Sequence, residues 1–222
     1  MAAESHPLFA RFYAWASTAL EQGVAEHRRR LLAGLSGRVL EVGAGNGLNF
    51  AHYPPEVTGV TAVEPEGHLR EIARDNARRA PVRVEVVNGV AERLPAEDQS
   101  YDAAVTSLVM CSVPDVDAAL AEILRVIKPG GELRFFEHVR ARSPMLGRAQ
   151  RLLDATVWPI LAGGCHAGRD TATAIARAGF VVERLDTLHF RQTRIPFPVA
   201  PQILGVATTP TGKVTPAPGP RT

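Results

Sequence analysis

Several absences narrow the possibilities before any motif is considered. The 222-residue chain has two cysteines, Cys111 and Cys165, too few to staple a fold of this size. Free thiols suit a reducing compartment, so a cytoplasmic location is the expectation. No uninterrupted apolar run approaches the ~20 residues a spanning helix requires, so integral membrane association is not expected. No basic region precedes the apolar stretch Leu8–Leu20, and Arg11 interrupts it, which argues against a cleaved targeting signal. Net charge is +2, and no basic stripe interleaved with aromatics offers a stacking platform, so nucleic acid is not an expected partner. Lysine is nearly missing, two residues against 23 arginines. Those arginines are scattered rather than gathered at an anion site, and the bias reads as genomic composition. The clustered Asp or Asn ligands of a catechol-type metal site are also missing, and no metal is expected.

What is present is the material of one globular domain, 45% hydrophobic and 22% charged. Leu8 to Trp15 reads as an amphipathic helix, and a second helical segment runs to about Leu35 with His27-Arg28-Arg29-Arg30 as a solvated face. Residues 1–35 are together expected to form a lid. From Ser36 strands alternate with helices. Strands are expected at Arg38–Val42, Val57–Val63, Val82–Val87, Asp102–Thr106, Leu133–Phe136, Phe180–Leu185 and Ile203–Thr208. Helices are expected at Asn46–Tyr53, Glu66–Arg79, Val116–Ile127 and Asp170–Ala178. This order predicts an α/β protein with a parallel, doubly wound sheet over residues 36–208 and an insertion near 140–168. The Pro-, Gly- and Thr-rich tail 209–222 is expected to be disordered. Ligands of such sheets bind at the carboxyl ends of the strands.

Chemistry concentrates first in Glu41-Val42-Gly43-Ala44-Gly45-Asn46-Gly47, which closes the first strand. Glycines there let the backbone turn sharply and approach a ligand, and a following helix would aim its amides at the same place. A dinucleotide fingerprint is spaced G-x-G-x-x-G; here the third glycine arrives one residue early and Leu48 takes the required position. Glu41 is placed to accept from an amine or to orient the loop. Glu64 ends the second strand, where a carboxylate can accept both hydroxyls of a ribose.

With these features in order, the chain resembles the class I S-adenosylmethionine-dependent methyltransferases over roughly Ser36 to Thr208. That resemblance implies a Rossmann-like seven-stranded sheet and S-adenosylmethionine as cofactor. Val39 to Gly47 is similar to the motif holding the methionine part, and Val63-Glu64-Pro65 to the strand end that binds ribose. Gly89-Val90-Ala91-Glu92-Arg93-Leu94-Pro95 with Ser100-Tyr101-Asp102 is similar to the adenine-side motif of the quinone-biosynthesis branch. That branch usually has Asp where Val90 stands, which leaves the amides of Val90 and Ala91 to read the ring. The cofactor set implied is Glu41, Gly43, Ala44, Gly45, Asn46, Asn49, Glu64, Pro65, Gly89, Val90, Ala91, Ser107 and Leu108. Ser107 to Val113, Phe136-Glu137-His138-Val139 and Gly164-Cys165-His166 are similar to the alkyl-thiol methyltransferases of the methyltransferase-like group.

Methyl transfer from a sulfonium is an in-line displacement that disperses charge, so it gains from alignment and from a dry pocket. Phe12, Tyr13, Met110 and Cys111 are the expected acceptor-pocket residues, and His138 and His166 are the candidate bases. A thiol acceptor needs little help, since a pKa near ~8.5 leaves some thiolate at neutral pH. The expectation is S-methylation of a small apolar thiol. C-methylation of a quinone precursor, N-methylation of a lipid amine, nicotinamide-dependent oxidoreduction and non-catalytic cofactor binding are the alternatives.

Overall fold

The computed structural model describes residues 10–11, 14–15, 17–18, 21–156, 158–189 and 201–211. The expected pocket residues Phe12 and Tyr13 lie outside them, as does the tail from residue 212. Six of the N-terminal residues, between Ala10 and Thr18, are helical, and helix α1 follows at Glu21–Leu32. Then come β1 (Gly37–Val42), a 3-10 turn (Phe50–His52), β2 (Val57–Val63), α2 (Gly67–Ala77), β3 (Val84–Val87) and β4 (Tyr101–Ser107). The second half holds α3 (Val116–Val126), β5 (Ile127–His138), α4 (Pro144–Asp154), α5 (Trp158–Leu161), α6 (Thr171–Arg177), β6 (Val181–His189) and β7 (Pro201–Thr208).

Among the described residues, seven strands form one sheet in the order β3-β2-β1-β4-β5-β7-β6. Alternate residues of each strand serve opposite faces. Leu40, Val42, Ala104, Leu133, Phe135, Ile203 and Ala207 pack in one core with α3 and α6. Their neighbours Val39, Ala103, Val105, Phe136 and Leu204 pack in a second core with α1 and α2. Helices therefore cover both faces, which explains the nearly continuous apolar runs of the strands. Helix starts are fixed locally: the Glu66 side chain accepts from Leu69 N at 2.7 Å, and that of Asp115 from Ala118 N at 3.0 Å.

The strand register aligns the site. Val42 pairs with Val63 and with Thr106, Val63 with Val87, and Ser107 with Phe136, all in parallel. Gly43, Glu64, Asn88, Leu108 and Val139 thus emerge from the same edge of the sheet.

Three expectations are corrected. The sheet is not wholly parallel, because β7 runs antiparallel to both β5 and β6. Only eleven residues separate His189 from Pro201, at the lower limit for a crossover that would return a strand in parallel. The helix expected at Asn46–Tyr53 is a set of turns ending in the single 3-10 turn, since Gly47 has φ +79° and prolines follow at once. The tail does not begin at Thr209: that residue is buried, and its hydroxyl donates to the Lys128 carbonyl at 2.7 Å. Residues 21–35 form a layer of the core, with Leu31, Leu32 and Leu35 no more than 1% exposed. The insertion near 140–168 contains α4 and α5.

Candidate active site

The glycine loop is braced against β2. The amides of Gly43 and Ala44 donate to the Val63 carbonyl at 2.8 and 3.1 Å, and the Gly45 amide donates to the Glu64 carboxylate at 2.7 Å. Gly43 has φ +68°, and a Cβ there would come within 2.6 Å of Val109. Only glycine meets both requirements. The other oxygen of Glu64 accepts from the Glu66 amide at 2.9 Å. Burial raises the pKa of Glu64, and those two amides offset only part of the rise. Each of its oxygens retains a further lone pair, the acceptors a ribose diol needs.

A buried polar chain underlies this loop. Glu41 accepts from Asn49 Nδ2 at 2.9 Å and from the Tyr53 hydroxyl at 2.7 Å. Glu41 thus joins the end of β1 to Asn49 and Tyr53, which lie beyond the glycine loop. Burial pushes its pKa up to about 7, against the hydrogen bonds from Tyr53 and Asn49. Asn49 Oδ1 accepts in turn from the Arg28 guanidinium at 2.8 Å, which also donates to Ser107 Oγ at 3.2 Å. Asn46 is buried; its side chain donates to Ser17 at 3.1 Å, tying the N-terminal helical residues to the loop.

At the end of β2, Arg70 donates to the carbonyls of Glu64 and Pro65, both at 2.9 Å, and to Asn88 at 3.1 Å. A Cβ on Gly89 would sit 2.9 Å from both Val63 and Pro95, so the loop through Gly89, Val90 and Ala91 lies close against β2. Past β4, Leu108 takes the left-handed conformation (φ +61°), with its amide held 2.7 Å from the Phe136 carbonyl. The amides of Val109 and Met110 then donate to one oxygen of Glu137, at 2.9 and 3.0 Å. Glu137 is fully buried, and that burial raises its pKa to about 8.

Met110 is a core residue packed against the α3 side of the sheet, so it supports the loop from beneath instead of lining an open pocket. Cys111 is buried with Cys165, and the ligand atoms of Cys111, His138 and Cys165 all lie within 4.8 Å of one another. Cys111 Sγ is 3.8 Å from His138 Nδ1. A hydrogen bond with Cys111 draws the pKa of Cys165 down, and the same bond with burial pushes that of Cys111 up. His166 is half-buried outside this group, but its backbone amide donates to the Cys111 carbonyl at 2.7 Å.

Sequence reasoning missed Arg28, Tyr53 and Glu137. A signal for Arg28 existed, because it falls at helical spacing among the buried Val24, Leu31 and Leu32. Of the expected solvated face, Arg29 and Arg30 are exposed, whereas His27 packs its ring 5.6 Å from that of Phe136.

The strand order, the glycine loop after β1 and the buried acid ending β2 define a class I S-adenosylmethionine-dependent methyltransferase. Residues 40–135 match a methyltransferase-domain family model. A SAM-dependent methyltransferase from Thermotoga maritima superposes with a TM-score of 0.66 at 23% identity, over 90% of this chain and 98% of that one. Thiol S-methyltransferase TMT1B of Rattus norvegicus is 38% identical over 188 residues, covering 79% of this chain and 73% of that protein. Thiol S-methyltransferase TMT1A of Homo sapiens is 34% identical, covering 79% and 72%. The chain belongs to the methyltransferase family that contains these thiol S-methyltransferases. Among the described residues, no helix is long and apolar enough to cross a membrane.

Proposed function

We propose that the protein methylates the sulfur of a small, largely apolar thiol. The observation that carries this reading is that the similarity to TMT1B extends over 79% of the chain, well beyond the 40–135 segment common to methyltransferase domains. S-adenosylmethionine, when bound, supplies a sulfonium methyl group to an in-line nucleophile. In this reading Glu64 accepts the ribose hydroxyls, and the loop from Gly43 to Asn46 holds the methionine end. Gly89, Val90 and Ala91 face the adenine, while Ser107 and Leu108 border the cofactor. The loop after β4, together with the N-terminal helical residues that Ser17 ties to the glycine loop, excludes water from the acceptor. In this reading the enzyme works in the cytoplasm on a free small molecule, and where no metal holds His138, that residue and His166 are the candidate groups for taking the acceptor's proton.

The test is a panel of alkyl and aryl thiols, a phenolic quinone precursor and a lipid amine, each incubated with protein and S-adenosylmethionine and read by mass spectrometry. Products one CH₂ heavier should appear for thiols and not for the phenol or the amine. Methylation confined to the phenol would overturn the sulfur assignment. In that case His138→Ala would abolish turnover, because a carbon acceptor needs a base that a thiolate does not.

A further inference from the structure

Cys111, His138 and Cys165 come from three separate segments. Cys111 lies in the turn after β4, His138 is the last residue of β5, and Cys165 follows α5. Their convergence is built into the backbone. Gly163 and Gly164 have φ +58° and +86° and turn the chain back toward β4. The His166 amide then clamps that turn to the Cys111 carbonyl at 2.7 Å. Arg169 braces the other side of the β4 turn, donating to the Met110 and Val113 carbonyls at 2.6 and 2.7 Å.

Two sulfurs and one imidazole nitrogen within 4.8 Å of one another form a ligand set for a soft or borderline divalent cation. In a tetrahedral zinc site such atoms stand about 3.5–3.8 Å apart, given bonds of ~2.3 Å to sulfur and ~2.0 Å to nitrogen. The 3.8 Å between Cys111 Sγ and His138 Nδ1 is about 0.3 Å beyond the sulfur–nitrogen spacing of such a site, and no separation in the group exceeds 4.8 Å, so binding draws the three atoms together by about 1 Å or less. Three protein ligands leave one position open, the arrangement of a catalytic rather than a structural zinc site. The cysteines are buried and His138 is half-buried, so the imidazole is the member of the group that solvent reaches.

We propose that Cys111, His138 and Cys165 bind a zinc ion whose fourth position receives the acceptor thiol as a thiolate. The role assigned to the metal, though not its binding, rests on the thiol reading above. The thiol displaces a bound water and releases its proton to solvent as the sulfur–zinc bond forms. A lone pair on that sulfur then forms the bond to the methyl carbon. The methyl–sulfonium bond breaks, and its electron pair stays on the sulfur of S-adenosylhomocysteine. The product thioether is neutral, a weaker ligand than a thiolate, and water replaces it. With a third thiolate bound, the site carries a net charge of −1, which the Arg169 guanidinium close to both cysteines offsets. Sequence reading expected no metal because it looked for carboxylate ligands; this set becomes visible only when the sheet aligns β4 with β5.

The test uses the full chain, reduced, freed of metal with a chelator, and titrated with Co²⁺. Thiolate-to-cobalt charge-transfer absorption and tetrahedral d–d bands are expected, with Zn²⁺ displacing the cobalt at one equivalent. Cys165→Ser should weaken Zn²⁺ binding by about 100-fold or more, while S-adenosylhomocysteine affinity reports that the variant is folded. Adding an alkyl thiol should shift the d–d bands as it takes the fourth position. Absence of the cobalt bands in the reduced protein overturns the proposal, as does their persistence in a Cys111→Ser/Cys165→Ser double variant. Recovery of a Cys111–Cys165 disulfide in a protein that takes no cobalt after reduction would replace the metal with a redox pair. Thiol methylation without cobalt bands sinks the metal and leaves the sulfur reading standing. Cobalt bands that shift with thiol, in a protein that methylates no thiol, do the reverse.

Discussion

Glu41 and Glu137 show what burial inside a two-faced sheet does to a carboxylate. Glu137 presents one oxygen to two amides, and its pKa still rises from 4.5 to about 8, because removing the charge from water outweighs two neutral donors. The folded state therefore holds a proton that the unfolded chain releases between pH 4.5 and about 8. Across that window the unfolded state binds fewer protons, so stability falls as pH rises. Its full contribution is present below the unfolded pKa and is lost as pH passes the folded one. Glu137→Gln keeps a carbonyl oxygen for the Val109 and Met110 amides and removes the ionisation. Denaturant melts at several pH values should show the variant losing less stability on the alkaline side, by on the order of 2 kcal/mol or more at pH 8. Parallel pH profiles for the two proteins would show that Glu137 does not titrate in the folded state. Nothing near Glu137 in the sequence marks this role. Its parity on β5 shows only that it is buried once both faces of the sheet are known to be covered.

At the scale of elements, the strand ends were legible and the loops between them were not. Val57–Val63 and Val116–Val126 follow from periodicity and caps, because a local pattern determines each. The β7 reversal and the helices of the 140–168 insertion depend on which surfaces remain open after the sheet forms, and no local pattern records that. The candidate site divides the same way. Gly43, Glu64 and Gly89 announce themselves by strand-end position, whereas the Arg28–Asn49–Glu41 chain and the two-cysteine group exist only through long-range packing. The turn at Gly43 provides a sharp test of the glycine loop. Gly43→Ala adds a methyl that would stand 2.6 Å from Val109 and forces an alanine to φ +68°. It should cost about 2–4 kcal/mol of stability. Affinity for S-adenosylhomocysteine should fall more than 10-fold by calorimetry, since the loop must move off the Val63 carbonyl or push back the turn after β4. An affinity equal to wild type would show that this loop does not hold the cofactor.

As a whole molecule, the protein spends almost the entire sheet on presenting one edge of loops, and its ligand should report on the fold as a unit. At about 100 times its Kd, S-adenosylhomocysteine adds ~2.7 kcal/mol, which raises Tm by roughly 5–10 °C in a domain of this size. Scanning calorimetry with and without it should show one transition moving; a nicotinamide dinucleotide should leave it in place. The scattered arginines turn out to include one with a defined position. Arg28 joins Asn49 to Ser107 from a helix that packs on β5 and β7, the last of which ends at Thr208. A twelve-residue helix is marginal alone in water. The surface that holds α1 is assembled from the 3-10 turn as well as from β5 and β7, so its last part exists only once nearly all the chain has been made. The link that Arg28 makes between the cofactor loop and the β4 loop is thus held in place by a strand more than 170 residues further along the chain, so truncation within β7 should loosen the site from a distance.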